Sequence, residues 1–203
     1  NNKKNYILAI TKKGKVPFTN NTVANSLETI DKNTNLFKIL KNLTIKSLKA
    51  INYLEGPAHT EILYNEKKNK KILVETAGRG GGFHIYDGLV KFASNEAILK
   101  KTLIHSTGKS VSFNLNNRNH VVLKYFASRK GIVKKIIGFN LLKKHVSGDV
   151  NIIGAPFVKK NEKVKKSTTD ADRLGYLLAW GQNKKKTKKI IDKFYKKIKF
   201  TIN

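Results

Sequence analysis

The sequence predicts an α+β fold in which an antiparallel sheet is flanked by helices, followed by a small C-terminal α+β unit. Three observations lead there. Two apolar runs, residues 59–64 and 71–76, flank the polar stretch Asn65 to Lys70 and read as a β-hairpin. Residues 35–54 carry apolar side chains at helical spacing. Beyond Gly108 the chain turns to strand-like runs and ends in one more amphipathic stretch. Two structural units are expected, residues 1–110 and 111–203.

Each element follows from its local pattern. Residues 5–10 (NYILAI) read as a strand, and Thr11 to Asn33 as a polar loop containing Pro17. The helix over 35–54 places Leu36, Leu40, Leu43, Leu48, Ile51 and Leu54 on one stripe, with Thr34 as N-cap. In the hairpin, a turn centred near Lys68 pairs Asn65 with Lys71, Leu63 with Leu73 and Glu61 with Glu75. A second helix is expected from the N-cap Ser94 to Gly108. Strands follow at 119–126, 131–138, 151–158 and 173–180, with a lysine-rich loop at 159–169 that is expected to be mobile. A helix near 184–197 carries Ile190, Ile191, Phe194 and Ile198 on one side, and the terminal KFTIN reads as a closing strand.

Composition bounds the function. The chain has 203 residues, 39% of them apolar, enough for a proper core. It contains no cysteine, which removes disulfides, thiolate metal sites and cysteine nucleophiles together. No apolar run reaches the roughly 20 residues that a membrane-spanning helix needs. A soluble, cytoplasmic protein is expected. The lack of any methionine points to a piece of a longer chain. The formal charge of +29 suggests an anionic partner. Yet only Arg79, Arg118, Arg129 and Arg173 are arginine, and the lysines are spread through every segment among abundant Asn and Ile. That pattern reads as a solvated surface rather than a nucleic-acid reader, which leans on arginine for bidentate contacts.

The chemistry concentrates in residues 59–83. Like charges directly opposite each other on a sheet repel, so Glu61 and Glu75 fit best around a cation. Magnesium takes one or two carboxylates and completes its shell with water and phosphate oxygens. Arg79 and the run Gly80, Gly81, Gly82 then offer a guanidinium and a backbone free to adopt positive φ and to turn its N–H groups to an anion. The run is no Walker A loop: before Gly108-Lys109-Ser110, Leu103 stands where the leading glycine belongs. It is no Rossmann fingerprint, and no nucleophile elbow is present. His84 lies close enough in sequence to reach the site but reads first as a structural residue, with Asp87 as a cap or brace of the loop. His59, His105, His120 and His145 lack metal-ligand spacing and read as ordinary.

With these residues in view, the stretch 56–90 resembles the second half of an ATP-grasp ligase, of the carboxylate–amine and amino-acid ligase branch, similar also to biotin carboxylase and carbamoyl phosphate synthase. Glu61, Glu75 and Arg79 fall on that superfamily's two acids and arginine. Residues 170–202 resemble the branch's closing unit, where a sequence of the form RxGYxxAxG precedes a helix and a last strand. The resemblance implies that 1–110 is the C-terminal subdomain of an ATP-grasp fold and 111–203 a small closing domain. It implies ATP and Mg2+ as cofactors, with Mn2+ as a substitute, and an acyl-phosphate intermediate. Glu61 and Glu75 would hold metal, Leu63 would lie under the nucleotide base, Arg79 would hold the carboxylate, and Gly80, Gly81 and Gly82 would offer donors to the anion.

The implied partners are a small-molecule carboxylate and amine, the upstream part of the same polypeptide and, as an option, a second copy in a homodimer. No membrane and no specific nucleic acid are expected. Where the pattern calls for Asn between the second acid and the arginine, this chain has Ala77. The fragment alone is expected to be inactive. A basic nucleic-acid or ribosome-binding protein, and an ATP-grasp protein with lapsed catalysis, are the alternatives.

Overall fold

A computed structural model describes residues 5–15, 23–143, 145 and 148–203. In chain order the elements are β1 (Thr11–Lys15), β2 (Ala24–Thr29), α1 (Asn35–Ala50), β3 (His59–Asn65), β4 (Lys70–Ala77), a π-helical turn (Ile85–Val90), α2 (Lys91–Ser94), α3 (Ile98–Ser106), β5 (His120–Phe126), β6 (Gly131–Ile137), α4 (Asn140–Lys143), β7 (Val150–Pro156), β8 (Lys163–Val164), a 3-10 turn (Asp170–Asp172), β9 (Gly175–Gly181), α5 (Lys184–Lys197) and β10 (Lys199–Ile202). They gather into two compact units, one built from the residues up to Ile10 with Ile30–Asn117, the other from Thr11–Thr29 with Arg118–Asn203. The class is α+β with antiparallel sheets and flanking helices, as the sequence predicts.

In the first unit α1 begins where expected. The Thr34 hydroxyl accepts the Phe37 N–H at 3.2 Å, satisfying one of the donors that a helix N-terminus leaves open. It stops a turn earlier than the apolar spacing suggests. Asn52 adopts a left-handed φ of 53°, and its N–H closes back on the Lys49 carbonyl, so Ile51 and Leu54 fall outside the stripe and are exposed. Phe37, Leu40 and Ser47 supply the buried face. The second helix also departs from expectation. Ser94 ends α2, with its hydroxyl donating to the Val90 carbonyl at 2.8 Å, and left-handed Asn95 breaks the chain before α3 starts at Ile98.

The second unit holds a five-stranded antiparallel sheet in the order β1-β2-β5-β9-β7 and a smaller sheet, β10-β6-β8. Residues 5–10 are not a strand, and the expected polar loop after them carries both β1 and β2; Pro17 lies outside the described residues. The signal in ANSLET is weak because only Ala24, Leu27 and Thr29 are buried there, and pairing of Leu27 with Leu123 of β5 makes it a strand. Residues 159–169 are likewise tied down: β8 pairs with β6, and the Ser167 N–H donates to the Ser128 carbonyl at 3.0 Å.

The motif read as RxGYxxAxG is structural. Arg173 is 3% exposed, lies 3.6 Å from the centre of the Tyr125 ring and donates to the Ala24 carbonyl at 3.0 Å. A Cβ on Gly175 would stand 2.7 Å from the Ala155 carbonyl oxygen, and one on Gly181 would stand 2.4 Å from that of Asp149. Ala179, fully buried between them, sits on β9, an interior strand of the sheet, beneath α5. α5 in turn covers the sheet with Ile191 and Phe194.

Candidate functional site: the β3–β4 hairpin and its glycine loop

Period-two alternation splits the hairpin into two chemically distinct faces. Thr60 and Thr76 are paired and share one of them: their hydroxyls lie 3.3 Å apart, and Thr76 meets Ser47 of α1 at 3.5 Å. The opposite face carries Glu61 directly across from Glu75 and His59 across from Ala77. The predicted acid pair is therefore present in register.

Beyond that pair the predicted register slips. A bulge between Glu61 and Ile62 inserts Val74, so Ile62 faces Leu73, Leu63 faces Ile72 and Asn65 faces Lys70. The pairings of Leu63 with Leu73 and of Asn65 with Lys71 are corrected accordingly, because a turn-centred count allows no extra residue. Leu63 keeps its place on the acid face, two residues past Glu61, and is exposed, as are Ile72, Leu73 and Val74.

His59, Glu61 and Glu75 each present one ligand atom, all within 4.8 Å of one another. His59 and Glu61 are half-buried and Glu75 is exposed. Helical ligand spacing does not single out this histidine. The signal that would have found it is strand spacing, since 59 and 61 alternate onto one face. Two carboxylates and an imidazole gathered this closely fit a divalent cation, with open positions on the solvent side.

The glycine loop continues β4, and its geometry corrects the reason for its glycines. None of Gly80, Gly81 and Gly82 has positive φ; Phe83 (49°) and His84 (62°) take the left-handed conformation instead. What Gly80 and Gly81 provide is room. A Cβ on Gly80 would meet the Tyr86 ring at 2.4 Å, and one on Gly81 would meet Ile85 at 2.9 Å, whereas Gly82 faces open space. Tyr86 is itself held, its hydroxyl 2.7 Å from that of Thr102 on α3. The loop is folded onto the π-helical turn by the Tyr86 N–H to the Gly81 carbonyl (3.1 Å) and the Ile85 N–H to the Gly82 carbonyl (3.0 Å).

Upstream, Tyr53 lies against Gly78, where a Cβ would stand 2.7 Å from the ring, and donates to the Pro57 carbonyl at 2.9 Å. Arg79 is exposed and donates from Nη1 to the Gly80 carbonyl at 2.9 Å. His84 Nδ1 lies 3.0 Å from the Asp87 carboxylate, so this histidine and the bracing acid pair with each other. His105, His120 and His145 are not members of the cluster of His59 and the two acids.

No protein-family model and no curated protein sequence matches this chain. Solved structures do. An L-amino acid ligase from Bacillus licheniformis aligns with 97% of this chain and 48% of its own, at TM-score 0.77 and 18% identity. A phosphoribosylglycinamide synthetase from Anaerococcus prevotii aligns with 95% of this chain and 48% of its own, at TM-score 0.68 and 16% identity. The biotin carboxylase domain of a Hydrogenobacter thermophilus 2-oxoglutarate carboxylase, solved with MgADP, ADP and bicarbonate, aligns with 89% of this chain and 40% of its own, at TM-score 0.62 and 11% identity. The chain thus spans about half the length of the first structures it resembles. Its fold is that of the C-terminal portion of the ATP-grasp ligases.

Proposed function

We propose that this chain is the C-terminal part of an ATP- and magnesium-dependent ligase that joins a carboxylate to an amine through an acyl phosphate. The observation that carries the reading is the facing pair Glu61 and Glu75 on the open side of a hairpin that runs straight into Arg79 and the glycine loop. In this reading Glu61 and Glu75 hold magnesium, which when bound neutralises the charge spread over the β- and γ-phosphates during transfer.

A substrate carboxylate oxygen attacks the γ-phosphorus and ADP leaves. The amine nitrogen then attacks the acyl carbon, phosphate is expelled and the amine gives up a proton. Arg79 orients the carboxylate through its planar fork, a task that lysine does poorly. With Nη1 donating to the Gly80 carbonyl, the other guanidinium N–H groups are the ones that would meet the carboxylate. The backbone N–H groups of Gly80, Gly81 and Gly82 offer donors to the developing anion. Leu63, exposed on the acid face, supplies an apolar contact for the nucleotide base. The upstream part of the polypeptide supplies the rest of the nucleotide site, and the exposed apolar pair Leu63 and Ile72 on the acid face is of the kind that such a part would cover.

The test is turnover of the intact protein, read as ADP release with ATP, magnesium and a panel of carboxylates and amines. Glu75→Gln is expected to lower turnover by about 100-fold or more, the scale of losing one transition-state contact. Unchanged magnesium affinity and turnover in that variant would sink the assignment.

A further inference from the structure

We propose that His59 is a third protein ligand of the cation held by Glu61 and Glu75, and that it biases the site toward manganese-class ions over magnesium. This rests on the metal site of the proposed function and adds a residue and a selectivity to it. His59 shares the open face of the hairpin with both acids, since it is two residues from Glu61 along β3 and Glu75 is Glu61's cross-strand partner.

Its own cross-strand partner is Ala77. Ala77 brings no donor, and its single methyl leaves the space beside the Glu75 carboxylate to the imidazole. Directly opposed residues on antiparallel strands hold their Cβ atoms ~5 Å apart, so a donor at 59 serves the same volume as a donor at 77 would. The ligand atoms of the three residues already lie within 4.8 Å of one another. Metal–donor bonds of ~2.0–2.2 Å need donors at most ~4.4 Å apart, so small side-chain rotations close the set.

The donor set decides the selectivity. Magnesium favours oxygen ligands and water in a strict octahedron, whereas imidazole suits later divalent ions in the series that rises from manganese. The imidazole therefore favours an ion of that series over magnesium, and the two carboxylates suit manganese, its hardest member, while magnesium stays bound through the acids. A competing role for the same histidine is that of a counter-ion whose imidazolium merely relieves the facing carboxylates. That role places a proton on the ring where the proposal places a metal, and spectroscopy tells the two apart.

The experiment is manganese binding to the intact protein, followed by electron paramagnetic resonance with pulsed detection of ligand nitrogen, with magnesium affinity measured by competition. The expected result is a bound manganese ion with a nitrogen coupling that disappears in His59→Ala, and a manganese affinity that falls on the order of tenfold while magnesium affinity moves much less. Circular dichroism of His59→Ala and of His59→Gln controls for folding. Manganese bound by the wild type without nitrogen coupling, or with a coupling that persists in His59→Ala, overturns the role of His59 and leaves the acid site standing. Loss of the coupling with equal falls in manganese and magnesium affinity overturns the selectivity. No manganese bound by the wild type overturns the acid site as well.

Discussion

The β3–β4 hairpin and the β5–β9–β7 ladder are both antiparallel, yet they differ in what surrounds them. On β9, Leu177 and Ala179 are fully buried beneath α5, and Leu178 is fully buried on the opposite face of the sheet. On the hairpin, Leu63, Ile72, Leu73 and Val74 are all at least 42% exposed, and only the Thr60 and Thr76 face is packed by α1. The lesson is about what fixes a residue. In the ladder, packing from both faces dictates size and shape, down to glycines that admit a neighbouring carbonyl. In the hairpin one face is unconstrained by packing, so residues that would be unfavourable together in a core, two facing carboxylates and an imidazole, can be kept for chemistry.

That contrast can be broken or sharpened by substitution. The largest effect is expected in the ladder: Leu177→Ala leaves a cavity in a region that closes on all sides and should cost ~2–5 kcal/mol, read by urea denaturation. Gly80→Ala comes next. Its new methyl meets the Tyr86 ring, which is anchored at Thr102, and overpacking of this kind costs ~1–3 kcal/mol. A matching loss of ligase turnover in the intact protein would tie the loop's shape to its chemistry, and an unchanged melting curve would refute the steric account of Gly80. The hairpin's own apolar residues should matter least to the fold: Leu73→Ala, at a site 42% exposed, is expected to cost less than about 1 kcal/mol. A cost equal to that of Leu177→Ala would show that the two regions are packed alike.

A fourth prediction concerns acid. The Asp172 carboxylate accepts the N–H groups of Thr168 (2.9 Å) and Thr169 (2.8 Å) and both their hydroxyls, which lower its pKa to about 2. A carboxylate held below its ordinary value contributes stability that is present above the unfolded pKa near 3.8 and lost as pH falls toward about 2. Asp172→Asn should therefore be less stable than the wild type at neutral pH, with the difference shrinking below pH ~4 and vanishing near the folded value. Urea midpoints across that range measure it. A difference that persists unchanged in acid would mean that the hydrogen-bonding shape of the side chain, rather than its charge, holds this turn.

Much of this was legible in the sequence because it is local. The helix at 184–197 keeps its predicted span as α5, since its apolar positions repeat at the helical period and Asn183 caps it by accepting the Lys186 N–H at 3.0 Å. Thr34 caps α1 for the same reason. The facing of Glu61 and Glu75 follows from two strands and a turn, a contact between near neighbours in the chain. The tertiary structure decided the rest. It made a strand of 24–29 by pairing it with β5, about a hundred residues away, and a strand of 11–15 by pairing it in turn with 24–29, neither of which a local pattern specifies. It inserted Val74 as a bulge in β4, so that the β4 residues beyond the acid pair met different partners, and it gave Gly80 and Gly81 their purpose through Tyr86 and Ile85 rather than through φ. It also brought His59 beside the acids, because strand alternation assigns a face only once the strand and its register are known. Local spacing determined the elements and the acid pair; long-range pairing and side-chain volume determined the site that surrounds them.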